Sequence, residues 1–539
     1  MLNWIDQRVP VRFLAFFVVV ALWVLSALQL VVGQASLAWV LLLSFLVVVG
    51  IHDLQQTRHA VLRNYPIIGH LRFLLEFIRP ELRQYFIEGD GDAVPFSRSQ
   101  RSLVYARAKG EPDKRPFGTQ MNVHEAGYEW LTHSISPSVI ESSNFKVNVG
   151  GQACQQPYNI SLFNVSAMSF GALSGNAIMA LNLGAKLGGF AHDTGEGSIS
   201  RYHREHGGDL IWEIGSGYFG CRNEDGTFNA ERFKTNAQSD QVKMIEIKLS
   251  QGAKPGHGGV LPGPKVTPEI AEARGVAVGV DCVSPAAHSS FSTPLGLIHF
   301  VQTLRELSGG KPVGFKLCIG HPWEWFGIAK AMQETGICPD FIVVDGAEGG
   351  TGAAPLEFTD HMGMPMMEGL RLVHNTLVGL NLRDQVRLGA SGKIISGYDV
   401  MRTLALGADW CNSARGFMFA LGCIQAQTCH TGNCPTGVAT QDPNRQVALV
   451  VPTKSERVRN FHRETLESVR EMLQATGLSS PAQLRLHHIM RRVSEHEVRN
   501  MSELLPSLSP SALVNDTPLE GLFAQYWHQS SAESFQLKA

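Results

Sequence analysis

Between residues 160 and 414, short β-rich runs ending in Gly, Ser, Asp or Thr alternate with stretches able to form helices. No other feature constrains the fold as much, because this alternation is the pattern of a parallel α/β architecture. The runs are ISLFNVSAMS (160–169), GFAHDTG (189–195), MIEIKLS (244–250), VGVDCVSP (278–285), VGFKLCIG (313–320), FIVVDG (341–346), VRLGASG (386–392) and ADWCNSA (408–414). Helix formers such as SGNAIMALNLGAKLG, TPLGLIHFVQTLRELSG and PWEWFGIAKAMQETG separate most of them. Eight such units predict a TIM (β/α)8 barrel with its chemistry at the carboxyl ends of the strands; a doubly wound sheet is the alternative. The 54 glycines in 539 residues, about one in ten against a usual 7%, fall mostly between 150 and 440 and suit its many turns. The barrel is expected over 151–452, after an adaptor of short helices at 53–150. Residues 453–539 then form a helical extension, with helices read over SERVRNFHRETLESVREMLQATG and SPAQLRLHHIMRRV.

Residues 1–52 are of another kind. FLAFFVVVALWVLSALQLVV (13–32) and ASLAWVLLLSFLVVVGI (35–51) contain no charge, and the first is long enough for the roughly 30 Å hydrocarbon core. Together they read as a transmembrane hairpin. Arg8 and Arg12 before it, and Arg58 and Arg63 after it, put both ends on the cytoplasmic side of an inner or plasma membrane. A cleaved signal peptide is the alternative, but the first run is too long for its apolar region. With no ionisable group in either run, the hairpin is an anchor and not an ion path. Elsewhere, 46 Lys+Arg against 48 Asp+Glu leave a net charge of -2, which gives no field for nucleic acid, and nine cysteines, an odd number, make a poor disulfide framework.

Several motifs carry chemistry. Gly215-Ser216-Gly217-Tyr218-Phe219-Gly220 has the letters of a dinucleotide fingerprint, but CRNEDGTFN follows where a helix must open. Ser391-Gly392 and Ala414-Arg415 lie where a barrel's phosphate site is usually built, unless they are ordinary strand-end turns. The loop Asp345-Gly346-Ala347-Glu348-Gly349-Gly350-Thr351-Gly352 is poor enough in side chains for backbone to approach a ligand. Lys316 either sets a cation beside an electron-rich ring or is a buried, paired lysine. Cys423, Cys429 and Cys434, spaced C-x5-C-x4-C, suit an iron–sulfur cluster lacking one corner iron. Zinc with His430 as fourth ligand, or three unligated core cysteines, are the other readings.

Residues 160 to 445 also resemble the synthase domain of glutamate synthases. The resemblance is carried, in order, by SAMSFGALS, HDTGEGS, EIKLSQGAKPGHGG, DGAEGGTGAAP, ASGKIISGYDV and GCIQAQTCHTGNCPTGVATQ. It implies a barrel holding FMN and a [3Fe-4S] cluster. Ala167, Met168 and Ser169 would then lie along the flavin ring, Lys316 at its N1–C2 edge, and Gly349, Gly350, Ser391, Gly392, Ala414 and Arg415 around the phosphate. The three cysteines would hold the cluster, and Glu196, Lys248, Gln251 and Lys254 would face 2-oxoglutarate and its imine.

The departures matter too. The chain opens Met1-Leu2 without the family's nucleophilic cysteine, so no glutaminase is expected, and His257 stands where the family usually has Glu. The implied activity is reductive amination of 2-oxoglutarate to L-glutamate. Ammonia would come from solution or a separate glutaminase, and electrons from a ferredoxin or reductase subunit. The alternatives are a membrane-attached flavin and iron–sulfur oxidoreductase acting on another amino acid or imine, and an electron-relay subunit without a substrate.

Overall fold

A computed structural model describes residues 11–92, 95–261, 263, 266–352, 354–505, 507–515 and 517–538. Arg8, one of the flanking arginines, lies outside them. The chain divides into two compact units, Met1–Asp92 and Ala93–Ala539.

In the larger unit eight parallel strands close into a barrel: Phe163–Val165, His192–Asp193, Leu210–Ile214, Val242–Lys248, Val313–Leu317, Phe341–Asp345, Arg387–Ser391 and Trp410–Ser413. Each pairs with its sequence neighbour, and the eighth returns to the first through Cys411 opposite Phe163. Two strand assignments change. VGVDCVSP contributes only Cys282–Ser284, which pairs antiparallel with Gly259–Leu261 outside the barrel. The true third strand is LIWEI, the run before the glycine-rich loop; all five of its residues are buried on both faces, as barrel closure demands.

The helices start and stop where local chemistry directs. Ser174, Thr267, Thr293 and Ser396 cap the helices Gly175–Gly188, Pro268–Arg274, Pro294–Leu307 and Gly397–Ala405, each side-chain oxygen accepting a backbone N–H of the first turn. The 25-residue helix Val451–Ala475 runs so close to Gly175–Gly188 that a Cβ at Gly184 would lie 2.5 Å from Val458. SPAQLRLHHIMRRV is not a helix. It makes two 3-10 turns and then the strand Ile489–Arg492, drawn into an antiparallel sheet with Glu129–Leu131 and Val498–Asn500.

The barrel interior is layered. At its floor Ala191, Ile211, Met244, Phe341, Val343 and Trp410 pack against Val149 and Ile160 of an antiparallel hairpin, Lys146–Val149 with Tyr158–Ser161. Above them the inward positions turn charged: Asp193, Glu213, Glu246 and Lys316 are all almost wholly buried.

The smaller unit carries the helices Leu14–Val31 and Leu37–Gln55, with mean hydropathy 2.5 and 2.2, both long and apolar enough to cross a membrane. They pair with each other, Trp23 Nε1 donating to Ser44 Oγ at 2.7 Å, while leucines such as Leu25, Leu28 and Leu41 are exposed.

Candidate active site

At the carboxyl end of the fourth barrel strand, Lys248 opens a pocket lined by Glu196, Ser216, Lys248, Gln251, Lys254 and His257. Lys248 Nζ lies 3.0 Å from Glu196 Oε2. Burial alone would raise the Glu196 carboxyl, but Lys248, with Lys254 and Arg274 behind it, overrides that and holds it down to about 2. Glu196 is therefore a carboxylate at neutral pH. Burial lowers the Lys254 ammonium, partly offset by Glu196. Two cations face one anion, so the pocket has a positive charge to give to an incoming acid. His257 stands exposed on the rim, edge-on to Phe358 with ring centroids 5.0 Å apart.

The glycine-rich loop 215–220 serves this pocket. No helix opens after it; the next is Ala230–Ala237. A Cβ at Gly215 would lie 3.0 Å from Glu196 Oε2, so glycine there lets the carboxylate swing against the backbone. Tyr218 is fully buried at φ 47°. Its hydroxyl accepts from Ser290 N at 3.1 Å and lies 3.1 Å from His288 Nδ1, while His288 Nε2 lies 2.8 Å from the Lys248 carbonyl oxygen. Burial lowers the His288 imidazole and keeps it neutral, so Nε2–H donates to Lys248 O and Nδ1 accepts from the tyrosine. Sequence reasoning missed Tyr218 and His288; the one signal was a large aromatic inside an otherwise small-residue loop.

One layer deeper, Lys316 is opposite Lys248 in register. Its Nζ pairs with Glu213 and lies 3.2 Å from Glu246 Oε1, and carboxylate oxygens of Asp193, Glu213 and Glu246 all lie within 4.8 Å of one another. Burial disfavours the Lys316 ammonium, but Glu213, Glu246, Asp193 and Asp345 outweigh it and push the group well above its usual range. Burial lifts Asp193 to about 7, with Lys316 opposing and Glu213 adding to the rise. Glu246 is also raised by burial. Lys316 is buried and paired; the acids that pair it stand singly in apolar strands and were passed over in the sequence.

The glycine-rich loop after the sixth strand reaches both neighbours. Asp345 accepts from Gly252 N at 2.8 Å and from Ser391 Oγ. A Cβ at Gly252 would collide with Gly346 O at 1.7 Å, and one at Gly350 would sit 3.7 Å from Arg415 Nη2. Arg415 donates to Thr351 O at 3.0 Å. Gly349, Gly350, Ser391 and Arg415 are thus gathered along one rim, with Gly392 beside them next to Glu348 and Ala414 directly before the helix Arg415–Leu421. Glu348 already holds the start of the helix Met366–Gly379, accepting from Met366 N at 2.9 Å. Ala167, Met168 and Ser169 follow the first strand; Ser169 Oγ accepts from Gly197 N at 3.2 Å, next to Glu196. Asn412 Oδ1, on the eighth strand, is buried without a hydrogen-bond partner. A side-chain-poor rim, a guanidinium and an orphaned acceptor fit a planar, phosphorylated ligand.

Cys423, Cys429 and Cys434 are free thiols of one loop. Cys429 Cβ is 3.8 Å from where a Gly352 Cβ would sit, and Cys423 follows the Arg415–Leu421 helix. Burial raises the Cys423 thiol, Arg415 opposes, and the other two sulfurs are near enough to add to the rise. At Cys434 burial is overruled by the N–H groups of Ala439, Thr436 and Val438 and by the Thr436 hydroxyl, which lower the thiol. Among the described residues no three thiols lie within 4.8 Å of one another, whereas thiolates around one zinc stand roughly 3.8 Å apart.

The model of the conserved region in glutamate synthase matches residues 132–479. A glutamate synthase large subunit-like protein of Bacillus subtilis, YerD, is 38% identical over 84% of this chain and 94% of its own length. The archaeal-type glutamate synthase [NADPH] of Thermotoga neapolitana is 36% identical over 62% of this chain, which spans 62% of that protein. A double mutant of flavocytochrome b2 with pyruvate bound aligns at 14% identity and TM-score 0.41 over 84% of this chain and 93% of that one. The barrel stands on its own strand pairing, and the sequence match covers the barrel, the pocket and the cysteine loop together. The chain belongs to the glutamate synthase family and is an oxidoreductase of that type.

Proposed function

We propose that this protein reductively aminates 2-oxoglutarate to L-glutamate at the mouth of the barrel. The observation that carries the reading is the pocket in which Lys248 and Lys254 face the single carboxylate of Glu196. A 2-oxo dicarboxylate would exchange with Glu196 for those ammonium groups. Gln251 donates to the carbonyl oxygen, and Glu196, once released, accepts a proton from ammonia as the carbon–nitrogen bond forms and returns it to that oxygen, which leaves as water to give the imine that is reduced. The Tyr218–His288 pair fixes the Lys248 backbone while this exchange takes place.

FMN, when bound, supplies the hydride, and a [3Fe-4S] cluster brings it electrons one at a time. In this reading Ala167, Met168 and Ser169 lie along the ring, and Lys316 lends its N1–C2 edge part of a charge shared with Glu213, Glu246 and Asp193. Gly349, Gly350, Ser391, Gly392, Ala414 and Arg415 hold the phosphate, and Cys423, Cys429 and Cys434 hold the cluster. The rim glycines and the lowered Cys434 thiol support these assignments. A ferredoxin or reductase subunit donates the electrons, and nitrogen arrives as ammonia from solution or a partner glutaminase. The domains are a hairpin anchor at 1–52, an adaptor at 53–150, the barrel at 151–452 and an extension at 453–539. The two apolar helices anchor the protein in the inner or plasma membrane with the barrel on the cytoplasmic side.

The test uses full-length protein purified without oxygen and reduced with dithionite. Addition of 2-oxoglutarate with ammonium should reoxidise the flavin and yield glutamate. Reoxidation by another imine in place of this pair would favour the second reading, an oxidoreductase for a different amino acid, to which His257 on the pocket rim points.

A further inference from the structure

Among the described residues of the smaller unit, none covers one apolar face of the helix Gly69–Leu82. Leu71, Leu74, Leu75, Ile78 and Leu82 recur at three- and four-residue spacing, which sets them in one stripe; the four leucines are exposed and Ile78 partly so. Arg72, Glu76 and Arg79 line an adjacent face, with Arg72 paired to Glu76 at 2.9 Å. The apolar surface continues through Phe86 and Ile87 of the following turn, both largely exposed. A face of this kind is costly in water and needs an occupant.

The structure ties this helix to the end of an apolar span. Asp53, in the last turn of Leu37–Gln55, is fully buried. Its carboxylate lies 2.9 Å from His70 Nε2 and accepts from Ile67 N at 2.9 Å. A Cβ at Gly50 would lie 3.3 Å from Ile67. The first turn of the Gly69–Leu82 helix therefore starts where the second span ends. Arg58, Arg63, Arg72, Arg79 and Arg83 lie between residues 56 and 87, against only Glu76 and Glu81. Apolar stripe, excess arginine and position at the span's end share one complement: the surface of an anionic phospholipid bilayer.

We propose that Gly69–Leu82 lies in the plane of the membrane interface, its leucine stripe among the acyl chains and its arginines at the lipid phosphates, with Asp53 as the clasp that holds it at that depth. This rests on the reading of the hairpin as a membrane anchor, and the test separates the two.

Full-length protein is reconstituted into vesicles of phosphatidylethanolamine and phosphatidylglycerol carrying an acyl-chain diazirine lipid, irradiated, and mapped by mass spectrometry. Label is expected in both hairpin helices and at Leu71, Leu74, Leu75, Ile78 and Leu82, and not at Arg72, Glu76 or Arg79. Replacing the three leucines together, Leu71→Ser, Leu74→Ser and Leu75→Ser, should leave the hairpin labelled and cut label within 69–82 by about tenfold or more. Labelled hairpin helices with an unlabelled 69–82 would overturn the proposal and leave the anchor standing. No label in either would overturn both. Crosslinks from the stripe to another polypeptide, or full labelling of the triple variant, would also overturn the proposal.

Discussion

Lys316 and Lys248 sit opposite each other in register on neighbouring barrel strands, yet their surroundings differ in charge balance. Around Lys316 one ammonium meets three buried carboxylates, so the layer is short of positive charge and takes up a proton. Around Lys248 two ammonium groups meet one carboxylate, so the mouth is short of negative charge, a balance the proposed dicarboxylate would complete. The same residue type, one layer apart, is held among three carboxylates in one place and beside a single carboxylate in the other. What decides is the count of opposite charges within reach and the access of solvent.

The largest effect expected from this contrast is at the inner layer. Lys316→Met leaves the carboxylates of Glu213 and Glu246 without their cation and should cost about 3–5 kcal/mol, read as a fall in the urea midpoint. A loss below about 1 kcal/mol would mean the layer is not an ion-pair cluster.

The second effect is on pH. Asp193 is raised in the folded protein, so its contribution to stability is complete below the unfolded value of about 3.9 and is lost as pH rises through about 7. Unfolding free energy should fall by on the order of 2–4 kcal/mol across that window, and Asp193→Asn should flatten the slope. An equal slope in the variant would assign the proton elsewhere.

At the mouth the balance of effects reverses. Lys248→Ala should change stability little but lower kcat/KM for the dicarboxylate by roughly 10- to 100-fold, the worth of a charge-assisted contact. Tyr218→Phe removes a hydroxyl that, among the described residues, is hydrogen-bonded to Ser290 N and His288 Nδ1, and should cost about 1 kcal/mol of stability with a smaller loss of kcat/KM. A larger kinetic effect than that of Lys248→Ala would make the tyrosine more than a support.

The sequence made some of this visible and hid the rest for physical reasons. The pocket residues were legible because they occupy continuous motifs, and Glu196, Lys248, Gln251 and Lys254 do converge. Cys282–Ser284 was misread as a barrel strand because β propensity is local and says nothing about which strand will pair with it. LIWEI was not counted among the eight strands because its place in the barrel depends on pairing with its neighbours, which the run itself does not show. Asp193, Glu213 and Glu246 come from three strands far apart in sequence, and only the pairing of those strands in the curved sheet brings them around Lys316. Likewise the strand Ile489–Arg492 needed its partner Glu129–Leu131, more than 350 positions earlier, before a helical pattern gave way to a sheet.

On this charge balance the mouth's surplus of positive charge should select a dicarboxylate. This selection is tested most directly by comparing kcat/KM for 2-oxoglutarate and for 2-oxobutyrate, which lacks the second carboxylate, in the parent protein and in Lys248→Ala with Lys254→Ala. The parent should favour 2-oxoglutarate by about 100-fold or more, and the double variant should lose most of that preference. A preference that survives the double substitution, or a parent that does not distinguish the two acids, would contradict the account.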